Sequence, residues 1–151
     1  MDIKKVKVTE VGPRDGFQSE KTVLKTEDKI SIINDLIVAG FPRIEVSSFV
    51  SPKAIPQLAD AEIILSKVNR SPNTTLAALV PNARGAIRAV EANLDEIVVF
   101  LSASESHNKK NVNRNVDESL IGFREIADIA GKNNIPIQGD IATAFGCPFE
   151  G

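Results

Sequence analysis

The apolar positions of the chain follow two spacings that alternate from one end to the other. Short apolar or alternating runs, typical of β-strands, are each followed by a segment in which apolar residues recur every three or four positions. This unit occurs four times and ends on a fifth strand-like run. Such alternation predicts a parallel sheet whose strands are connected by crossover helices.

Five strands and four helices are predicted along this pattern. We expect Thr26 to cap the first helix, Gly40 to end it, and Pro56 to open the second. No linker or low-complexity tract divides the chain, so we predict one domain over residues 1–151. The predicted strands are 6–11, 43–49, 74–80, 96–104 and 136–146, and the predicted helices are 26–40, 56–68, 83–93 and 117–133.

Two α/β architectures fit this order, the open doubly wound sheet and the closed TIM (β/α)8 barrel. No Gly-x-Gly-x-x-Gly motif follows the first strand, and polar residues collect at the carboxyl ends of strands, where barrel active sites lie. We therefore predict a TIM barrel, of which a complete copy needs about 250 residues. The chain then comprises the N-terminal half plus strand five. We expect it to expose unpaired edges and to associate, aggregate or unfold when alone.

Composition narrows the classes of partner. The 18 basic and 20 acidic residues, with neither Trp nor Tyr, argue against a nucleic-acid partner. The single cysteine, Cys147, cannot form an internal disulfide or a cysteine-based metal cluster. The sequence contains no signal core, transit-like segment or membrane-spanning run, so we expect a cytoplasmic protein without a membrane partner.

Inward-facing carboxylates are the first candidates for chemistry. On strand two, Ile44 and Val46 share one face and Glu45 takes the other, which points into a barrel. Strand five places Asp140 inward in the same way, and we expect Glu10 to join from strand one. Several carboxylates inside a barrel require a counter-charge from a divalent cation, an arginine or both. For Glu45 the competing interpretation is a structural acid paired with an arginine of a neighbouring strand.

An Arg-Asp pair follows the first strand. Neighbouring residues of a regular strand face opposite ways, so Arg14 and Asp15 reach one cavity only if the chain leaves strand geometry there. Gly12, Pro13 and Gly16 favour that departure. Taken alone, so short a motif is more often a solvated turn with a surface ion pair.

Five ordered motifs nevertheless resemble the N-terminal half of the 3-hydroxy-3-methylglutaryl-CoA (HMG-CoA) lyase family. This family belongs to a superfamily of metal-dependent TIM-barrel lyases and condensing enzymes with a pyruvate-carboxyltransferase-like catalytic domain. The resemblance covers nearly the whole chain, and a lone Arg-Asp-Gly would not carry it. The motifs are "EVGPRDGFQSEK", "IEVSSFVSPKAIPQLAD", "LVPNARG", "SASESHNKKNVN" and "AFGCPFEG".

The resemblance implies cleavage of HMG-CoA into acetoacetate and acetyl-CoA, in leucine degradation and ketone-body formation, with Mg²⁺ or Mn²⁺ as cofactor. It implies that Arg14 binds substrate and stabilises the enolate oxygen, that Asp15 ligates the metal, and that Glu45 positions or shuttles protons. Gln18 and Ser48 would line the substrate region. The family's other metal ligands and its catalytic cysteine belong to the second half, so we expect the isolated chain to be inactive or impaired.

One departure from the family lies in strand five. Where the family usually has an aromatic residue in an Arg-Gly-Tyr-like stretch, this chain has Gln-Gly-Asp ending at Asp140. An inward acid changes the shape and charge of the pocket and leaves the acyl specificity open. We expect His107, Lys109 and Lys110 to lie on a solvated loop after strand four, and Cys147 to be a small buried thiol.

Two other functions stay open on the sequence. A related acyl-CoA condensing enzyme or aldolase would run similar enolate chemistry, although the "GPRDG" form favours the lyase over the "TLRDG"-like form of condensing enzymes. A non-catalytic half-barrel would instead associate with a second copy or with a complementary half.

Overall fold

Five parallel strands form one sheet in the computed structural model, which describes residues 6–151. The strands are β1 (Thr9–Glu10), β2 (Arg43–Ser48), β3 (Thr75–Leu79), β4 (Glu96–Ser102) and β5 (Ile137–Ala142). Each strand pairs in parallel with the one before it, so the spatial order β1-β2-β3-β4-β5 is also the order along the chain. This arrangement is the half-barrel that the strand and helix alternation predicts.

The helices connect successive strands and cover one face of the sheet. Their bounds are α1 (Phe17–Ser19), α2 (Thr26–Val38), α3 (Ala61–Lys67), α4 (Ala83–Glu91), α5 (Glu105–Val112) and α6 (Val116–Lys132). All four predicted helices are present as α2, α3, α4 and α6. The predicted loop after β4 is wrong, because residues 105–112 form α5. No helix within residues 6–151 is both long and apolar enough to cross a membrane.

Two caps differ from the expectation, and each has a physical reason. Lys25, not Thr26, is the N-cap of α2, because the Thr26 hydroxyl donates a hydrogen bond to Asp60 Oδ2 at 2.8 Å. Pro56 opens a separate 3-10 turn instead of α3. Gly40 does follow the end of α2, with a φ of 85° that glycine adopts without strain.

The main hydrophobic core lies between the outer face of the sheet and the helices. It includes Ile44 and Val46 of β2 together with Ile33 of α2, Ile64 of α3 and Ile126 of α6. Burying one such aliphatic side chain stabilises the fold by about 1.5–3 kcal/mol. The inner face carries a much smaller apolar cluster of Ala77, Leu79, Val98 and Phe100. The core therefore forms on the outer side and leaves the inner face for polar groups.

A fully buried lysine joins α2 to the segment before α3. Lys29 is 1% exposed, and its Nζ lies 2.9 Å from Asp60 Oδ1 and also donates to the carbonyl of Gln57. The apolar stem of Lys29 fills the core while its charge is compensated. This contact holds together two crossover units of the barrel.

Both edges of the sheet are open within the described chain. At the first edge, the predicted strand 6–11 shrinks to the two residues of β1, because the chain has a partner on one side only and turns away after Glu10. At the last edge, Ile137 and Ile141 of β5 are 39% and 64% exposed. The apolar outer face of β5 is therefore left partly uncovered.

Candidate active site at the carboxyl ends of the strands

A one-turn π-helix after β1 positions the Arg-Asp pair. Residues 12–16 form this turn, in which the backbone N–H groups of Arg14 and Asp15 both donate to the carbonyl of Val11, at 3.1 and 2.7 Å. Glu10 Oε1 accepts a hydrogen bond from the N–H of Gly12 at 2.6 Å. The chain thus leaves strand geometry where the glycines and proline predict. Glu10 stabilises the turn, so its carboxylate is already engaged by backbone.

Arg14 lies between two carboxylates. Its Nε is 3.0 Å from Glu45 Oε2, and its Nη1 is 2.7 Å from Asp15 Oδ1. The two acids differ in environment, because Glu45 is 3% exposed and the Asp15 side chain 63%. The pair of contacts fixes the plane of the guanidinium group and leaves Nη2 without a hydrogen bond to the described residues.

A second arginine completes the environment of Glu45. Arg43 Nη1 lies 3.5 Å from Glu45 Oε1, and Arg43 Nη2 lies 2.9 Å from Glu96 Oε1. Two guanidinium groups, one on β2 itself and one on the turn after β1, therefore supply the counter-charge that a buried carboxylate requires. Glu45 points inward, as predicted. One of its two arginine partners is Arg14, the candidate catalytic residue, whereas the structural-acid interpretation expects an arginine of a neighbouring strand.

A β-bulge in β2 decides which serine reaches the inner face. The pairing shifts between Glu45, which lies opposite Ala77, and Ser47, which lies opposite Ala78. Ser48 consequently pairs with Leu79, a member of the inner apolar cluster. Strict alternation would place Ser47 on the face of Glu45 and Ser48 on the other. The bulge is therefore what brings Ser48 into the site.

Four of the five predicted site residues line one cavity of about 600 Å³. Arg14, Asp15, Gln18 and Ser48 all line this cavity, and Asp140 lines it from β5. Glu45 lies behind Arg14 and is not part of the lining. The cavity opens at the carboxyl ends of the strands, the face on which TIM-barrel enzymes build their active sites.

Asp140 lies on the inner face, as the alternation in β5 predicts. It pairs with Phe100, which belongs to the inner cluster, and its Oδ1 accepts a hydrogen bond from Gln138 Nε2 at 2.8 Å. The departure from the family pattern therefore adds a carboxylate to the wall of the cavity.

The sequence reasoning missed the part of the cavity wall that follows β4. Asn111 of α5 and Arg114 of the α5–α6 connection both line the cavity. Residues 105–112 carry one aliphatic side chain, Val112, so hydrophobic periodicity could not reveal the helix. A usable signal was Ser104, whose hydroxyl accepts from the N–H of His107 and caps α5.

The residues near the start of α5 are held by local contacts. His107 Nδ1 lies 2.6 Å from the buried Ser102 hydroxyl, and Lys109 and Lys110 are exposed in the last turn of α5. The prediction of a buried thiol is wrong, because Cys147 is partly exposed near the described C-terminus. Desolvation raises the pKa of Cys147, but its hydrogen bonds with the Ser104 side chain and with backbone N–H groups outweigh that effect and lower the pKa.

The donor set for a metal ion is incomplete within residues 6–151. No group of three or more His, Cys, Asp or Glu side chains in this part of the chain is placed to hold an ion. Asp15 offers one carboxylate oxygen beyond the one bound by Arg14, and carboxylate oxygen suits Mg²⁺ or Mn²⁺. Asp15 therefore fits the role of one ligand, and a full coordination shell requires further donors.

The parallel half-barrel and its cavity at the carboxyl ends of the strands place the chain in the TIM-barrel class of folds. The family model for HMGL-like proteins matches residues 5–150, and the chain belongs to that family. The resemblance drawn from the five motifs is thereby confirmed.

Curated relatives and solved structures agree with this assignment. The chain is 47% identical to the hydroxymethylglutaryl-CoA lyase of Bacillus subtilis over 97% of its own length and 49% of the relative. A cytoplasmic 3-hydroxy-3-methylglutaryl-CoA lyase of Danio rerio is 44% identical over 97% of the chain and 44% of its own length. The crystal structure of the Bacillus subtilis HMG-CoA lyase superposes with a TM-score of 0.94, over 98% of this chain and 50% of that one.

A further solved structure contains ligands. An HMG-CoA lyase of A. baumannii in complex with coenzyme A and 3-methylmalate superposes with a TM-score of 0.90 at 47% identity, over 95% of this chain and 47% of that one. The chain spans about half the length of the relatives it matches. Because relatives include both cytoplasmic and mitochondrial proteins, the cytoplasmic location stays a prediction.

Proposed function

We propose that this chain carries the first half of an HMG-CoA lyase active site, a carbon–carbon lyase that cleaves HMG-CoA into acetoacetate and acetyl-CoA. One observation carries the proposal: Arg14 is fixed between the buried Glu45 and the exposed Asp15 at the wall of a cavity. The names of relatives at 47% and 44% identity support the choice of substrate. The pathway of leucine degradation follows from that choice and is part of the same proposal.

The reaction makes a specific demand on Arg14. The tertiary hydroxyl loses its proton, the carbon–carbon bond breaks, and its electron pair forms the enolate of acetyl-CoA, which is then protonated on carbon. Arg14 uses Nε and Nη1 to hold two carboxylates, so Nη2 is the group that would donate to the thioester oxygen as it gains charge. A donor already fixed in position needs little reorganisation when the charge develops.

The two acids have different tasks in this proposal. Both oxygens of Glu45 face guanidinium groups, so in this proposal Glu45 holds Arg14 in position. Asp15 would hold a Mg²⁺ or Mn²⁺ ion together with donors outside the chain, and such a cation polarises the substrate hydroxyl when bound. Gln18 and Ser48 line the cavity and would contact the acyl group.

A chimera tests the proposal directly. The matching half of the Bacillus subtilis relative is replaced by this chain, and HMG-CoA cleavage is measured with Mg²⁺ or Mn²⁺. We expect turnover, and we expect Arg14→Gln to lower kcat by about 100- to 1,000-fold, the usual effect of losing one oxyanion donor. Arg124→Gln is the matched control, because Arg124 is exposed on α6 and does not line the cavity.

Two results would contradict the proposal. A folded, metal-loaded chimera that condenses acetyl-CoA with keto acids and leaves HMG-CoA intact would favour the condensing-enzyme alternative. Turnover by the 151-residue chain alone at the level of the full relative would show that no donors beyond this chain are needed.

A second function, association through the open edge of the sheet, is favoured by the exposure of Ile137 and Ile141 on β5. A parallel edge strand with apolar side chains is a surface on which another strand or helix packs. The partner is a second copy or a complementary half-barrel. Size-exclusion chromatography with mass detection tests this directly, and a well-folded monomer at all concentrations would reject it.

A further inference from the structure

Arg114 differs from the other arginines that are buried or partly buried in the described chain. Arg14, Arg43 and Arg88 each contact at least one carboxylate within 4 Å. Arg114 is partly buried and lines the 600 Å³ cavity, yet no such contact joins it to a carboxylate of residues 6–151. A guanidinium that is partly desolvated and unpaired has a free-energy gain available from binding an anion.

Four acids line a cavity together with Arg114, and three of them are already engaged. Asp15 pairs with Arg14, and Asp140 accepts a hydrogen bond from Gln138. Glu118 closes a capping box by accepting from the N–H of Asn115 at 2.8 Å. The fourth, Glu125 of α6, is exposed and lines a smaller surface pocket with Arg114, and no ion pair within residues 6–151 joins the two.

The backbone around Arg114 is tightly specified. Asn113 adopts a left-handed conformation with a φ of 55°, and Asn115 caps α6 immediately afterwards. The buried Asn108 donates from Nδ2 to the carbonyl of Arg114 at 3.0 Å. Three polar residues thus fix the position from which the side chain extends.

The helix beside Arg114 leaves room for the guanidinium group. A Cβ built on Gly122 of α6 would lie 3.0 Å from Arg114 Nη1. Glycine in the interior of a helix is less favourable than alanine by about 1 kcal/mol. At position 122 this unfavourable residue stands where the guanidinium group needs the space. An alanine at position 122 would require Arg114 Nη1 to move by a few tenths of an ångström.

We propose that Arg114 is a specificity-determining residue that binds an anionic group of the substrate at the α5–α6 end of the cavity. Arg14, in contrast, acts at the reacting atoms. The inference rests on the proposed function, because an acyl-CoA substrate brings the anion. That anion is either the free carboxylate of the acyl group or a phosphate of the CoA moiety, and both offer oxygens that match a guanidinium group.

Binding measurements on the chimera of this chain with the second half of the Bacillus subtilis relative separate these two sources. Isothermal titration compares CoA, pantetheine, which lacks the phosphates, and 3-hydroxy-3-methylglutarate, which lacks CoA. We expect Arg114→Gln to weaken either CoA or 3-hydroxy-3-methylglutarate by about tenfold or more, and to leave pantetheine unchanged. Loss for CoA identifies the phosphate, and loss for the free acid identifies the carboxylate.

Three further variants serve as controls for this interpretation. Arg114→Lys keeps the charge and should restore part of the affinity, whereas Arg124→Gln removes an exposed arginine and should change nothing. Gly122→Ala should weaken the same ligand while raising the stability of α6, because the displaced atom is the end of a flexible side chain. A variant that simply misfolds would lose its thermal transition as well as its affinity.

The outcomes distinguish the two proposals. Wild-type binding that Arg114→Gln leaves unchanged for all three ligands overturns the role of Arg114 and not the proposed lyase function. Arg114-dependent binding by a chimera that lacks lyase turnover overturns the lyase function and retains the anion site. Absence of any binding by the folded wild-type chimera overturns the anion site.

Discussion

At the scale of single residues, the two carboxylates of Arg14 should respond differently to loss of charge. Glu45 is 3% exposed and Asp15 is 63% exposed, so only the first is surrounded by low-dielectric protein. We expect Glu45→Gln to lower the free energy of unfolding by about 1–3 kcal/mol, because two arginines lose a buried charged partner. Asp15→Asn should change it by less than about 1 kcal/mol, as for other surface pairs.

Urea unfolding of the two variants checks this prediction, and turnover in the chimera adds a second readout. Asp15→Asn should abolish the response of turnover to added Mn²⁺ while the fold stays intact. Equal losses of stability in the two variants would contradict the assignment of Glu45 as the buried anchor of Arg14.

Some residues of the candidate site could be predicted from the sequence pattern, and others could not. The alternation in β2 and β5 was sufficient for Glu45 and Asp140, because each strand keeps its period of two through those positions. Ser48 could be inferred only from the family resemblance, since a bulge is a tertiary adjustment of register that leaves no pattern in the strand itself. Arg114 was missed because no periodic element could be assigned to its neighbourhood.

At the scale of elements, Lys29 should be the most sensitive polar position outside the site. It is 1% exposed and joins α2 to Asp60, the N-cap of α3. We expect Lys29→Met to lower the free energy of unfolding by about 3 kcal/mol, because Asp60 keeps a largely buried charge without its cation. Lys67→Met, an exposed change on α3, is the control and should have an effect below about 0.5 kcal/mol.

Thermal and urea unfolding of the two lysine variants give the measurement. Similar stability for both would show that the ion pair is replaced by apolar packing at no net cost. The helices themselves were predictable where apolar residues recur on one face, as in α2 and α6. The eight-residue α5 was not, because its caps and charges stabilise it and its apolar content does not.

At the scale of the whole molecule, the open β5 edge should control association. Ile141 is 64% exposed on the outer face of β5, and Ile121 is 60% exposed on α6, so a matched pair of substitutions is available. We expect Ile141→Lys to reduce the apparent mass in size exclusion, because a charge on an edge strand opposes further pairing and packing. Ile121→Lys should leave the mass unchanged.

Circular dichroism of both lysine variants should match the parent, since neither isoleucine is part of the buried core. Association that persists in Ile141→Lys would indicate that the chain associates through the inner face of the sheet and not through the β5 edge. The half-barrel itself was predictable from the alternation of strands and helices. Its open edge also followed, because a closed barrel requires about 250 residues.

The sequential strand order also bears on the route by which the chain folds. Each strand pairs with the strand that precedes it in the sequence, so the pairing partner of each new strand has already been synthesised. Each pairing joins residues 19 to 40 positions apart, so a strand and its crossover helix must be ordered before the pairing can form. A ribosome that releases the chain from its N-terminus would therefore release the units in the order in which they can assemble.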